Sequence, residues 1–479
     1  MIQLISHLQQ NLPVKARTWL HITSLAGVVL SSLASHWLSE FKTTPNSPHL
    51  AEMGIYIIIQ FSVMGLFMLL AWATAPASNA LKDFKLILIA AVIARVVLLD
   101  VAPYTSNDVD RYLFDGRIAY EGFDPYRVSH DAPELQELRA QWQPPQEHAK
   151  YVTLYPPVAL SFFALAASAD VDNAQLAWSA ILLVSGLLTL YFSAQVLQKL
   201  GKLKHLPLVA LSPLLILETG VGLHLDALSA LTVIVAVYLW LHQRFVLTGI
   251  MIGIGMSTKI LPMMLLLPFL FFLLGKKEFK TFVTLLASTI VAIASIYSLT
   301  IALGYHPVGS ISVFFEKWRF ASPLFNSLDA FISGYPLIFT LMTIATIICL
   351  LIGFFSLSST PLASKDSKLG SCLQLALSVP LFLGPVLFPW YLMPLIPLLA
   401  LRPNLYLIAW TLLMPLTYEV IGNFLCCQQW QPAQWPIIIL GILYLITTIK
   451  LTKWLYQNKS QLKLKSHLSN DNQRMSTCR

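Results

Sequence analysis

Apolar residues recur in long runs along almost the whole chain, interrupted at intervals by charges, prolines and glycines. A helix crossing the hydrocarbon needs about 20 mostly apolar residues, fewer where protein or a thinned bilayer shields its ends. Runs at 18–38, 54–76, 84–102, 174–197, 281–303, 331–356, 371–388, 404–422 and 435–452 meet that requirement. Shorter runs at 206–219, 225–241, 244–257, 260–275 and 390–401 are bounded by Pro, Gly or a charge and predict short or tilted spans. The pattern predicts an all-α polytopic membrane protein of about 12–14 transmembrane helices, a single integral membrane domain over 1–479. Nothing resembles an internal repeat. Thr18 onward is read as an uncleaved first span, because no charged start, short apolar core and small-residue cleavage site precede it.

Composition closes off the soluble classes. Of the 479 residues 56% are hydrophobic and only 11% charged, whereas a soluble domain is about a quarter charged. The net charge of +8 is therefore read by position, as topology, with no nucleic-acid partner implied. With the N-terminus inside, the inner segments carry 21 of the 31 lysines and arginines and four of the 23 acids. That bias is what the positive-inside rule demands. It places both termini in the cytoplasm, with a basic tail at 453–479, and fits a bacterial inner (plasma) membrane. The run 156–169 is too short to cross, and the basic stretch Lys199–Lys204 after the next span belongs inside. So 156–169 is expected to lie in the outer leaflet, which leaves 103–173 as one long outer segment and 304–330 as a second outer loop. Five cysteines, two of them the adjacent Cys426 and Cys427, offer neither a disulfide framework nor metal-ligand spacing.

The outer segment is where chemistry concentrates. Residues 103–155 hold nine acids and five bases. In the stretch from Asn107 to Arg117, a helix would put Asp108, Arg111, Tyr112 and Asp115 on one face and turn Asp110 elsewhere. A carboxylate at the membrane boundary beside an arginine and an aromatic suits a general base acting on a bound hydroxyl. Inside the spans, Arg95 needs a partner at its depth and is expected in an ion pair. Glu218 and Glu419, near outer span ends, could supply counter-charge or touch sugar hydroxyls.

The sequence "SNDVDRYLFDGRIAYEGFDPY", followed by "TLYPPVALSFFALA", resembles the first outer loop of the GT-C superfamily of membrane glycosyltransferases, above all family 87, the polyprenol-phosphate-sugar-dependent mannosyltransferase-like proteins. The resemblance continues in order through "GLHLDALSAL", "GIGMSTKILPMMLLLP", "FFEKWRFASPLFNSL" and "FPWYLMPLIPLL". It implies a GT-C-like bundle whose long first outer loop is catalytic and bears membrane-parallel helices. It also implies inverting transfer of a hexose, mannose favoured, from a polyprenyl-phosphate-linked donor to a lipid or glycan acceptor hydroxyl on the outer face.

Asp108 then takes the role of base, with Asp110 and Asp115 in reserve. A departing phosphate needs cations aimed at it where water is scarce. Arg111, Lys259, Lys317 and Arg319 stand at outer span ends or in the loop; a snorkelling outer anchor is the other reading for Lys317 and Arg319. Tyr112, His224 and Asp226 are expected to touch donor phosphate or sugar; a helix N-cap is the other reading for Asp226. Trp390 and Tyr391 are expected to line the donor, or else to belong to an interfacial belt. No cofactor is expected: Asp108 with Asp110 could hold a divalent ion, but the basic residues could neutralise phosphate without one. The competing functions are a transporter or flippase of a lipid-linked or small polar substrate, and a scaffold for envelope assembly. A transporter should place paired charges or broken helices near mid-bilayer in both halves.

Overall fold

A computed structural model describes residues 13–43, 49–332, 334–364, 367–450 and 452. The tail from 453 and Lys365, which together supply seven of the 21 basic residues counted on inner segments, lie outside them. The protein is all-α, with no strand among the described residues. Among the described residues six helices are long and apolar enough to cross a membrane: Val14–Lys42, Leu50–Ala73, Val171–Lys199, Phe279–Ala302, Tyr335–Leu357 and Leu405–Cys427. Each coincides with one of the nine long runs. Shorter apolar helices include Asp226–Leu241, Phe245–Thr258, Leu261–Gly275, Lys368–Leu383, Pro389–Leu401 and Gln434–Lys450.

One long run behaves differently. The 84–102 stretch forms an α-helix only over Lys85–Val96, after which Leu98, Leu99 and Val101 tighten into turns that bond three residues back. Elsewhere prolines set the breaks. Pro415 turns Met414–Glu419 into a tight 3-10 segment within the Leu405–Cys427 run, and Pro389 and Pro394 do the same to Pro389–Leu395. Between Pro207–Ala210 and Pro213–Gly220 the helix is interrupted. In lipid an interrupted helix must find partners for its freed carbonyls, and Arg95 supplies one: its Nη1 donates to Ala210 O and Ala91 O, both at 2.8 Å. The ion pair expected of Arg95 is thus replaced by a carbonyl clasp. Among the described residues no carboxylate lies within ion-pair reach of it.

Segments expected on the same side of the membrane touch one another. On one side, Tyr305 and His306 bond to Ala119 and Asp124, Ser310 to Val152 and Thr153, and Phe320 to 385–387. On the other, Asn79 meets Gln198, Lys202 meets Leu401, and Arg402 meets Ser367. Cys426 and Cys427 are bonded to each other.

The helix Pro157–Ala167 has 11 residues. At 1.5 Å per residue it is about 16 Å long, half the ~30 Å of a hydrocarbon core. It lies against the helix Asp108–Tyr120, closest at Gly116, where a Cβ would fall 2.3 Å from the Phe163 carbonyl. Any side chain at 116 would force the two helices apart.

Candidate active site

The Asp108–Tyr120 helix starts where Asn107 leaves helical geometry and Ser106 Oγ accepts the Asp108 backbone N–H at 2.9 Å. Asp108 and Asp110 in its first turn complement the positive end of the helix dipole. Its apolar face is held by an aromatic clamp. Tyr112 stacks flat on Phe163 (4.7 Å between centroids, 2°) and meets Tyr155 and Trp178 edge-on. Burial on this scale stabilises each ring by about 2–3 kcal/mol, so Tyr112 is a rigid wall for its neighbour one turn back.

That neighbour is Asp108. Its Oδ2 lies 3.3 Å from the Tyr112 hydroxyl and 3.6 Å from His224 Nδ1. The Asp108 side chain keeps 36% of its surface open, while His224 is sealed at 0%. His224 stacks on Trp390 with ring centroids 3.7 Å apart, and its Nε2 lies 3.4 Å from Glu218 Oε2. Glu218 accepts hydrogen bonds from the Tyr418 hydroxyl and from Thr105 Oγ1. The turn carrying His224 has no spare room: a Cβ on Gly222 would fall 2.2 Å from Glu218 Oε2 and 2.6 Å from His224 Cδ2. Leu223 takes a left-handed φ of 54°, and Trp178 Nε1 donates to its carbonyl at 2.8 Å.

Beside this cluster, Lys259 occupies the extended residue that ends the Phe245–Thr258 helix. Its ammonium bonds both oxygens of Asp226 at 2.7 and 2.8 Å and sits 3.9 Å over the Tyr391 ring. Asp226 is buried, whereas Lys259 remains 26% exposed. The N-cap reading of Asp226 does not hold, since Leu225 is the N-cap and no side chain caps that helix. Arg111, buried, donates from Nη2 to Val152 O at 3.3 Å and leaves Nε without a partner.

Electrostatics separate the members. Burial pushes Asp108 up to about 6, while the charges of Arg111 and Lys259 and the Tyr112 hydroxyl oppose the rise. Burial, aided by the Lys259 charge, holds His224 well below its usual range, which makes it a neutral imidazole. Burial also takes Tyr112 well above the ordinary phenol value.

The structure therefore brings Asp108, Arg111, Tyr112, His224, Asp226, Lys259, Trp390 and Tyr391 together. Four expected residues stand apart. Asp110 is exposed and shares a field with Lys42. Asp115 is buried, with its oxygens taken at 2.7 Å by His130 Nε2 and Thr153 Oγ1. Lys317 sits over the Tyr151 ring. Arg319 lies 3.9 Å from Asp329 and over Phe325. The 304–330 segment is still linked to the cluster through stacked rings: Phe320 on Phe388, Phe388 on Trp390, Trp390 on His224.

The sequence offers no place in the cluster to Thr105, Tyr155 or Tyr418, and Glu218 only as a counter-charge or a contact to sugar hydroxyls. An acid inside an apolar run six residues before His224 was the signal for Glu218; Thr105 carries none. Among the described residues no three His, Cys, Asp or Glu side chains converge as metal ligands.

A family model described as Alpha-(1→6)-mannopyranosyltransferase, N-terminal domain, matches residues 18–276. No curated protein and no solved structure matches the chain significantly. The matched segment contains Asp108, Arg111, Tyr112, His224, Asp226 and Lys259, and ends before Trp390 and Tyr391.

Proposed function

The chain belongs to the alpha-(1→6)-mannopyranosyltransferase family, and from that membership we propose that it moves mannose from a polyprenyl-phosphate-linked donor to a lipid or glycan hydroxyl, with inversion, on the outer face of the membrane. That it is an integral membrane mannosyltransferase, of the GT-C family 87 kind, follows from the family and the apolar helices; donor, acceptor, stereochemistry and sidedness are the proposal. The transporter alternative gives way to the enzyme, because the family is one of glycosyl transfer.

One observation carries the site reading: in a cluster otherwise largely buried, the Asp108 carboxylate and the Lys259 ammonium stay partly open and within each other's field. Asp108 acts as the base. As the acceptor oxygen bonds the anomeric carbon, the bond to phosphate breaks with its electron pair going to phosphate, and the acceptor's proton passes to Asp108. A carboxylate poised near 6 holds that proton better than an ordinary aspartate while remaining mostly ionised at neutral pH. Lys259 spends two N–H groups on Asp226 and keeps the third for a donor phosphate oxygen. Arg111, buried, adds a second cation whose charge reaches Asp108. Trp390 and Tyr391, beside His224 and Lys259, serve donor binding; Lys317 and Arg319, which stand apart from the cluster, take no part in the chemical step. The loop 103–173 is the catalytic outer segment, with 156–169 as its non-spanning support.

The test is transfer in lipid vesicles by the purified chain, comparing polyprenyl-phosphate mannose with a nucleotide-linked mannose. Product from the lipid donor, of inverted anomeric configuration, is expected. Product from the nucleotide sugar alone would overturn the donor assignment.

A further inference from the structure

Tyr155 belongs to the aromatic clamp around Tyr112, yet it differs from the other rings there. Tyr112, Phe163 and Trp178 are sealed, whereas Tyr155 is only half-buried. Its ring meets Tyr112 and Phe163 edge-on, at 5.1 and 5.2 Å between centroids. Its carbonyl accepts the Tyr126 hydroxyl at 2.9 Å. Its backbone N–H donates at 3.3 Å to Thr153 Oγ1, which is itself tied to Asp115. Pro156 and Pro157 follow at once and start the next helix. None of these contacts uses the phenol oxygen, so a phenylalanine would make them all. The hydroxyl instead meets that of Tyr112 and lies in the field of Asp108 and Arg111. Burial, reinforced by the Asp108 charge, holds this phenol well above its usual range, so it stays protonated. Tyr112 gives its own proton to Asp108 Oδ2, and the proton between the two tyrosines is therefore that of Tyr155. A phenol oxygen that has donated still has a lone pair to offer. Here it sits on a partly open residue, one hydroxyl away from Asp108.

We propose that Tyr155 is an acceptor-binding residue: its phenol oxygen takes a hydrogen bond from a second hydroxyl of the acceptor sugar while the reacting hydroxyl gives its own to Asp108. This rests on the reading of Asp108 as base. A single hydrogen bond leaves the acceptor free to turn about it; two fix its orientation, and orientation makes the encounter productive. The spacing of the two points of attachment is set by Tyr112, which bridges them and cannot shift, because its ring lies flat on Phe163. Lys259 comes from another element, the end of the Phe245–Thr258 helix, with the Tyr391 ring beneath its ammonium. Acceptor and donor phosphate are thus held by separate parts of the chain, and each can be weakened without the other.

Tyr155→Phe tests this in the full chain, because it removes the oxygen and keeps every packing contact. With polyprenyl-phosphate mannose as donor and octyl mannoside as acceptor, kcat/KM for the acceptor should fall about three- to tenfold, the loss of one neutral hydrogen bond. The donor KM and the melting temperature should stay as they are. A set of octyl mannosides, each lacking one of the non-reacting hydroxyls, then separates contact from mere packing. One member should cost the wild type the same factor and cost Tyr155→Phe nothing further, since the two changes delete the two halves of one bond. Losses that simply multiply for every member of the set overturn the proposal, as does an unchanged kcat/KM for the acceptor or a loss confined to the donor KM. Equilibrium binding of octyl mannoside without donor gives a readout that needs no transfer: it should weaken by the same factor in Tyr155→Phe, and equal binding by the two chains, or none by the wild type, would also overturn it. Full transfer by Asp108→Asn would sink the parent reading and leave the pairing of Tyr155 with one acceptor hydroxyl standing.

Discussion

Asp108 and Asp115 lie two turns apart on one helix, each with a histidine from elsewhere in the chain beside it, and they are in opposite condition. Asp115 is closed to solvent, and both its oxygens are taken at 2.7 Å, by His130 and Thr153. Asp108 is 36% open, and its nearest partners stand at 3.3 and 3.6 Å. A buried carboxylate with tight, saturated hydrogen bonds is a fastener: it ties the 130 and 153 segments of the loop to the helix. A carboxylate walled by fixed rings yet short of partners is held ready for a group that is not yet there. Hydrogen-bond saturation, rather than charge or helical face, distinguishes the two.

The sharpest way to break that contrast is to neutralise each in turn. Asp108→Asn should lower transfer by ~10²–10⁴-fold, the range of a lost general base. Its thermal melting should stay level or rise, because the ionised group is held there against its preference. Asp115→Asn should do the reverse. It loses the acceptor for Thr153 and should destabilise the fold by about 1–3 kcal/mol, read as a lowered melting temperature, with transfer per folded molecule little changed. If the two variants exchanged phenotypes, the base would be Asp115.

Lys259 gives the next effect in size. Lys259→Gln should raise the donor KM while leaving the acceptor KM alone, since the lost cation faces the phosphate. The single change also strands Asp226 as a buried carboxylate, a destabilisation of roughly 3–5 kcal/mol. The double variant with Asp226→Asn should recover melting temperature without recovering donor affinity. Recovery of both would reduce Lys259 to a structural partner.

Much of this was legible in the chain. The six long spans follow from run length, which is all that lipid asks of a helix. His224, Asp226, Lys259, Trp390 and Tyr391 stood out as polar or aromatic residues bordering apolar runs. Their pairing was not legible, because nothing local in sequence says that Lys259 meets Asp226 or that Trp390 stacks on His224; those contacts arise from how short helices break and dock. Periodicity put Asp108 and Asp115 on one face but was blind to what His130 and Thr153 bring to that face. The 84–102 run shows a related limit: hydropathy measures transfer to lipid and does not say where α-helix gives way to tighter turns, as it does after Val96.

The smallest effect is the dependence on pH, and it reads the protonation of Asp108. A base must be ionised, so transfer should rise with pH on a limb centred near 6, the value to which burial pushes Asp108. An ordinary aspartate near 3.9 would already be ionised and leave that range flat. The same shift has a consequence for stability of the opposite sign. Where the folded group holds its proton more tightly than the unfolded one, the folded state binds more protons between the two pKa values. The Asp108 contribution is therefore fully present below about 4 and lost as pH rises through about 6. Activity and this part of the stability should cross over the same interval, one rising as the other falls. Both trends should vanish in Asp108→Asn and persist in Asp115→Asn, measured as rate and melting temperature against pH. A limb near 6 that survives Asp108→Asn would assign it to another group and remove the carboxylate from the chemistry.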